Sequence, residues 1–385
     1  MNFLLTIYLY PLSKPITLSY SLCITLDNPR TDEEIAYIED YLKNSHENSP
    51  EPIFPVESDE EIVTLKWVLE RFYDNCLVND KQALRIYKKY RQENIYRQFA
   101  RMWIVARYDD QGEFDRLKKI YKKIEEKGEN GFVILDDDNP IEKAKKTSIN
   151  YFSLLSLMCH TEPYQYYGRQ ILADNIISDM ERHVPNRDLW QNHFTMFMIH
   201  VVNASRDTKE DSLNWTFFPK VKEKIITIAE TIEKTLVEEG MENLLYIGSV
   251  LNIVSLSNSE DKVKILFLTS LLEFLLTHNP DYNRFNVEES INKQFQLKTS
   301  VVVYMHDKKL DINILKEKLR NIYNIRSCIA HGNFDKIDQM LIKLSKKNKE
   351  KAHMSSIVSE LYEYIRAVIE VRFEDKEFIE FLKNG

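Results

Sequence analysis

The chain is short of almost everything that announces a common enzyme or a secreted scaffold. Its four cysteines, Cys23, Cys76, Cys159 and Cys328, are scattered with no CxxC or paired spacing. Neither a disulfide framework nor a zinc knuckle is indicated, and a reducing cytoplasm fits best. Eight glycines and eleven prolines in 385 residues leave few breakers, which favours helices over a turn-rich β architecture. A glycine-rich phosphate loop, a GxGxxG after a strand, a GxSxG elbow and an HExxH pair are all missing. P-loop hydrolysis, dinucleotide redox chemistry, the α/β-hydrolase mechanism and zinc-protease chemistry therefore lack their physical prerequisites.

Long apolar runs are missing as well. Nothing approaches the eighteen or so residues of a membrane span, and the run Asn2 to Tyr10 has no basic leader and stops at Pro11, unlike a signal sequence. No membrane partner is expected. Positive charge is also in deficit, with 52 Lys and Arg against 60 Asp and Glu and a formal charge of -8. That balance argues against a general nucleic-acid coat protein, whose affinity comes from neutralising phosphates, but it permits a local basic groove.

What the chain does have is enough apolar material, 43% of residues, to fill two cores. The pattern is mainly α. Residues 3–10 and 16–26, rich in Tyr, Leu, Ile and Thr, flank Pro11 to Pro15 and read as two strands around a turn, a short N-terminal β-hairpin. Thr31 with Glu34, and Ser58 with Glu61, are capping boxes that open helices. Between them the polar stretch 44–52 reads as a loop. Further amphipathic helical patterns follow at about 140–158, 164–182, 188–204 and 217–238.

Charge is unevenly partitioned. Residues 32–61 carry eleven acids against Lys43 alone, whereas residues 81–127 carry fourteen Lys or Arg against seven acids. The basic stretch includes Lys88, Lys89, Arg97 and Arg101, interleaved with Tyr87, Tyr90, Tyr96, Phe99 and Trp103. Such a mixture suits RNA, with cations on phosphates and rings on bases. It equally suits an amphipathic helix pair with a solvated basic face.

Other candidates are weaker. Asp136, Asp137 and Asp138 are adjacent in sequence and suit a helix N-terminus with Pro140 at its first position better than one cation. His193 and His200 are seven apart but lack a matching acid, so they read as ordinary core or surface histidines. No metal site and no cofactor is expected.

The C-terminal third is the most informative. Residues 261–277 form a strongly apolar helix in which Glu273 stands among leucines and phenylalanines; 287–305 and 311–330 read as two more, and 351–371 closes a four-helix arrangement. The third helix ends Ile325-Arg326-Ser327-Cys328-Ile329-Ala330-His331-Gly332, with Gly332 suited to a left-handed stop and Ile325, Ile329 and Ala330 expected to face the core. Arg187 and His193 have similar spacing, but Arg187 lies in a first helical turn and no glycine follows His193.

The region 260–372 resembles the HEPN domain, especially its Apea-like branch, whose signature joins an Arg-Ser step to His-Gly at a helix end. The resemblance implies a metal-independent endoribonuclease with Arg326 and His331 as catalytic residues, Glu273 orienting Arg326, and Ser327 hydrogen-bonding phosphate. Histidine as a residue type supplies a proton acceptor or donor near neutral pH, and arginine stabilises charge building on phosphorus. It further implies a homodimer with a composite cleft, an RNA substrate such as tRNA, and a place in antiphage defence or a toxin system. The alternative is a non-catalytic HEPN-like module for dimerisation, nucleotide binding or partner binding. The expected organisation is a helical regulatory or recognition region over 1–255, answering to a trigger or inhibitory partner, and a HEPN-like domain over 256–385.

Overall fold

The computed structural model describes residues 3–9, 11–32, 34–36, 38–40, 81–108, 147, 150–155, 157–158, 217–239, 241–256, 260–278, 282–283, 286–287, 290–348 and 353–384. The chain is mainly α. These residues fall into two compact units, one drawn from Met1–Ile149 and Ile171–Val237, the other from Asn150–Gln170 and Glu238–Gly385. The Ser58 box, the 44–52 loop, Asp136 to Asp138, the patterns at 164–182 and 188–204, and Arg187, His193 and His200 lie outside the described residues.

In the first unit, β1 (Phe3–Leu9), β2 (Ile16–Ser19), β3 (Ile24–Asp27) and β4 (Trp103–Tyr108) form one sheet in the order β1-β4-β3-β2, with all neighbours antiparallel. The N-terminal hairpin is present, as β2 and β3. Its strands differ from the pair read in the sequence, because 16–26 folds back on itself and β1 pairs with β4 instead, Leu5 opposite Val105. The hairpin turns at Tyr20 to Cys23, where the Cys23 amide donates to the Tyr20 carbonyl at 3.3 Å and Cys23 takes φ 53°. Alternation supports it: Ile16, Leu18, Ile24 and Leu26 are buried and Thr17 is exposed.

The helices α1 (Lys81–Tyr90) and α2 (Ile95–Met102) carry the first part of the basic stretch, residues 103–108 leave the helical pattern and form β4, and 109–127 lie outside the described residues. Trp-Ile-Val-Ala-Arg-Tyr is rich in β-branched and aromatic residues, and two partner strands override helix propensity there. The Thr31 capping box is formed: the Glu34 amide donates to Thr31 Oγ1 at 3.2 Å and the Thr31 amide to Glu34 Oε2 at 3.3 Å. Helix α3 (Phe217–Glu239) matches the sequence pattern. Its Glu233 accepts from Ser19 Oγ at 2.6 Å and from the Ser21 amide at 2.8 Å, tying the hairpin turn to the helix.

The second unit contains α4 (Met241–Leu256), α5 (Asp261–Leu276), the small antiparallel pair β5 (Tyr282–Asn283) and β6 (Asn286–Val287), α6 (Ile291–His306), α7 (Ile312–Ala330), α8 (Phe334–Asn348), α9 (Met354–Glu374) and α10 (Lys376–Asn384). Helix α5 is central, packing against α4, α6, α7, α9 and α10. Its buried residues Ile265, Leu268, Leu272 and Leu275 recur every three to four positions. Each fully buried Leu or Ile contributes roughly 1.5–3 kcal/mol, so that stripe fixes the rotation of α5 and leaves Glu273 at the core's edge. Gly248 on α4 is needed for close approach, since a Cβ there would meet the Asn150 carbonyl oxygen at 2.1 Å.

Candidate active site

The last turns of α7 are shaped by their apolar spacing. Leu315, Leu319, Ile322, Ile325, Cys328 and Ile329 are buried, while Arg326 and Ser327 are half-buried. Ala330, expected in the core, is exposed. It lies five positions after Ile325, about 140° further round the helix, and falls off the buried face. At the other end, Asp311 caps α7 by accepting from the Asn313 and Ile314 amides at 2.8 and 3.2 Å.

The helix stops in a Schellman turn. The Asn333 amide donates to the Cys328 carbonyl at 2.8 Å and the Gly332 amide to the Ile329 carbonyl at 3.1 Å, with Gly332 at φ 69°. His331 is the capping residue and is exposed; its amide donates to the Ser327 carbonyl at 3.1 Å. The turn leads straight into α8. Its imidazole is therefore presented at a rigid helix junction.

Arg326 is held from two sides. Its Nη2 donates to Glu273 Oε2 on α5 at 3.3 Å, with Glu273 only 16% exposed, and its guanidinium lies over the Tyr323 ring at 5.6 Å. Tyr323 itself packs against the fully buried Phe295 of α6, ring centroids 5.3 Å apart. Burial raises the Tyr323 phenol above its ordinary range, the Glu273 carboxylate raises it further, and Arg326 partly opposes this. A phenol kept protonated donates to Glu273, so this carboxylate serves both the phenol and the guanidinium. Arg326 Nε is buried without a hydrogen-bond partner, a donor left unsatisfied at some cost.

Two of the expected site residues, Glu273 and Arg326, meet where α5 packs on α7, with Ser327 next to Arg326 in the chain and His331 just beyond. Five residues of helix place Arg326 and His331 about 7.5 Å apart along the axis and on different faces. Arg326 turns inward and His331 outward. Tyr323 was legible only as an apolar position; its place three residues before Arg326 on one helix face is the signal for a partner.

The basic stretch is placed differently. Arg97 pairs with Asp32 at 2.8 Å and Glu39 at 3.2 Å, and Arg101 pairs with Glu93 at 2.7 Å while covering the Tyr90 ring at 5.1 Å. Lys88 and Lys89 are exposed in the last turn of α1. Among the described residues, no group of three or more His, Cys, Asp or Glu is placed to hold a metal ion, and no helix is long and apolar enough to cross a membrane. In comparisons with known proteins, no family model, no curated protein and no solved structure matches this chain.

Proposed function

We propose that residues 256–385, within the second unit, are a HEPN-type, metal-independent endoribonuclease. The observation that carries this reading is the pairing of a guanidinium preorganised by Glu273 and Tyr323 with an exposed imidazole on the adjoining Schellman turn. In the reaction, the 2′-hydroxyl oxygen attacks the adjacent phosphorus and the bond to the 5′-oxygen breaks. His331 takes the proton from the 2′-hydroxyl or delivers one to the leaving oxygen, and Arg326 stabilises charge on the phosphoryl oxygens. Ser327 hydrogen-bonds the same phosphate. The products are a 2′,3′-cyclic phosphate and a 5′-hydroxyl.

The inward turn of Arg326 and the outward turn of His331 favour a composite cleft, in which a second copy of the chain brings its own pair to the phosphate. RNA, with tRNA among the candidates, is the substrate, and antiphage defence or a toxin system in the cytoplasm is the setting. The remaining chain, residues 1–255, senses a trigger or binds an inhibitory partner.

Purified protein should cleave RNA in the presence of EDTA, and Arg326→Ala and His331→Ala should each lower the rate at least about 100-fold, the scale of a lost acid-base or charge-stabilising group. Cleavage by the variants at the wild-type rate, or its loss on chelation, would sink the proposal. A second reading, a non-catalytic dimerisation or partner-binding module, has exposed apolar residues in its favour: Tyr246 and Ile253 on α4, and Val263 and Phe267 on α5. Under that reading no variant alters RNA at all.

A further inference from the structure

Helix α5 touches the 326–334 segment at both ends. Lys262 and Glu273 are eleven residues apart, about 20° from eclipsed, so they belong to one stripe spanning about 16 Å. Glu273 meets Arg326 at 3.3 Å, and the Lys262 ammonium sits over the Phe334 ring at 4.7 Å. The segment carrying His331 therefore runs along this stripe, with a guanidinium before the histidine and an ammonium over an aromatic ring after it.

Phe334 is out of place as a core residue. It is the first residue of α8, three positions beyond His331, and is 50% exposed. The Schellman turn fixes its backbone, and the Lys262 contact steadies the ring. Lys262 is itself 35% exposed, and its carboxylate neighbour Glu260, at 3.5 Å, is 75% exposed at the helix start. Such a surface pair is weak and does not prevent the ammonium from meeting a phosphate.

We propose that Phe334 and Lys262 form a nucleotide subsite beside His331, in which an unpaired base stacks on the Phe334 ring and the adjoining phosphate meets the Lys262 ammonium. This deepens the ribonuclease reading and rests on it. A base inside a duplex has both faces covered by its neighbours, so only a single strand, loop or bulge offers a face to the ring. In-line attack by a 2′-hydroxyl also needs a backbone free to leave the A-form. The substrate class is single-stranded RNA.

The test uses the full chain carrying His331→Ala, so that binding is read without cleavage. A fluorescent, unstructured oligoribonucleotide should bind at least about tenfold more tightly than a duplex of equal length. Adding Phe334→Ala should weaken single-strand binding about tenfold, the scale of one lost base-aromatic stack, whereas Phe334→Trp should retain it. Lys262→Gln should reduce the slope of log affinity against log salt by about 0.7. Equal affinity for duplex and single strand, or Phe334→Ala and Lys262→Gln proteins that bind like their parent, overturns the subsite. Failure of the ribonuclease reading is seen separately, as wild-type protein that leaves RNA intact.

Discussion

Arg97 in the first unit and Arg326 in the second both lie on helices beside carboxylates, yet they are held in different ways. Arg97 shares its guanidinium between Asp32 and Glu39, and neighbouring Arg101 meets both oxygens of Glu93 through Nε. Arg326 has one longer contact, with Glu273, and a buried Nε without a partner. The acidic block that begins at Asp32 and the basic block on α2 meet inside the first unit. Charge partition along the sequence thus describes an internal match there, while the lightly paired arginine lies where charge composition says nothing.

The largest effect should separate these two arginines. Arg326→Ala is expected to remove at least about 100-fold of RNA cleavage, whereas Arg97→Gln with Arg101→Gln should leave the rate within about twofold and act through stability, because buried Glu39 and partly buried Glu93 lose the guanidinium contacts that offset their charge. Cleavage kinetics and thermal unfolding of both proteins decide the matter. A double variant that cleaves slowly and unfolds like wild type would place RNA on the first unit and reverse the comparison.

Much of the second unit was legible in the sequence. The helices expected at 261–277, 311–330 and 351–371 are α5, α7 and α9 to within a few residues, because unbroken apolar periodicity, the Asp311 cap and the Gly332 stop are local signals. Helices α8 and α10 were not read from the sequence, since α8 begins directly after the Gly332 stop and the nine-residue α10 has little period to display. In the first unit β4 was missed because its partner β1 lies about a hundred residues away and the β-branched and aromatic residues of Trp103 to Tyr108 continue the basic, aromatic pattern of the helix before it without a break. At the site, Arg326, Glu273 and the glycine stop were readable; Tyr323, Phe334 and Lys262 were not, because their contacts exist only once α5 and α7 pack.

A smaller effect tests the junction itself. Gly332 has nothing within 4 Å of where a Cβ would stand, so Gly332→Ala costs only the left-handed backbone at φ 69°, about 1 kcal/mol. If the Schellman turn positions His331, cleavage should fall by more than that small loss of stability explains. Rates and unfolding temperatures measured together check it. Unchanged cleavage would mean that the turn serves only the fold.

The smallest effect lies in the first unit and depends on pH. Burial by itself would raise the Glu233 carboxyl, but hydrogen bonds from Ser19 and Ser21 outweigh it and hold the group below its ordinary value of 4.5. A carboxyl depressed in the folded state contributes stability that is fully present above the unfolded value and is lost as pH falls through the folded one. Glu233→Gln should therefore lower Tm slightly at neutral pH, and the gap from wild type should close as the solution is acidified below about pH 4. Because Glu233 is only half-buried, solvent screening keeps the gap small. A gap that stayed constant down to acid pH would show that the hairpin is held by the shape of the side chain and not by its charge, which would leave the first unit's Glu233 contact unlike the charged Glu273 contact that holds Arg326.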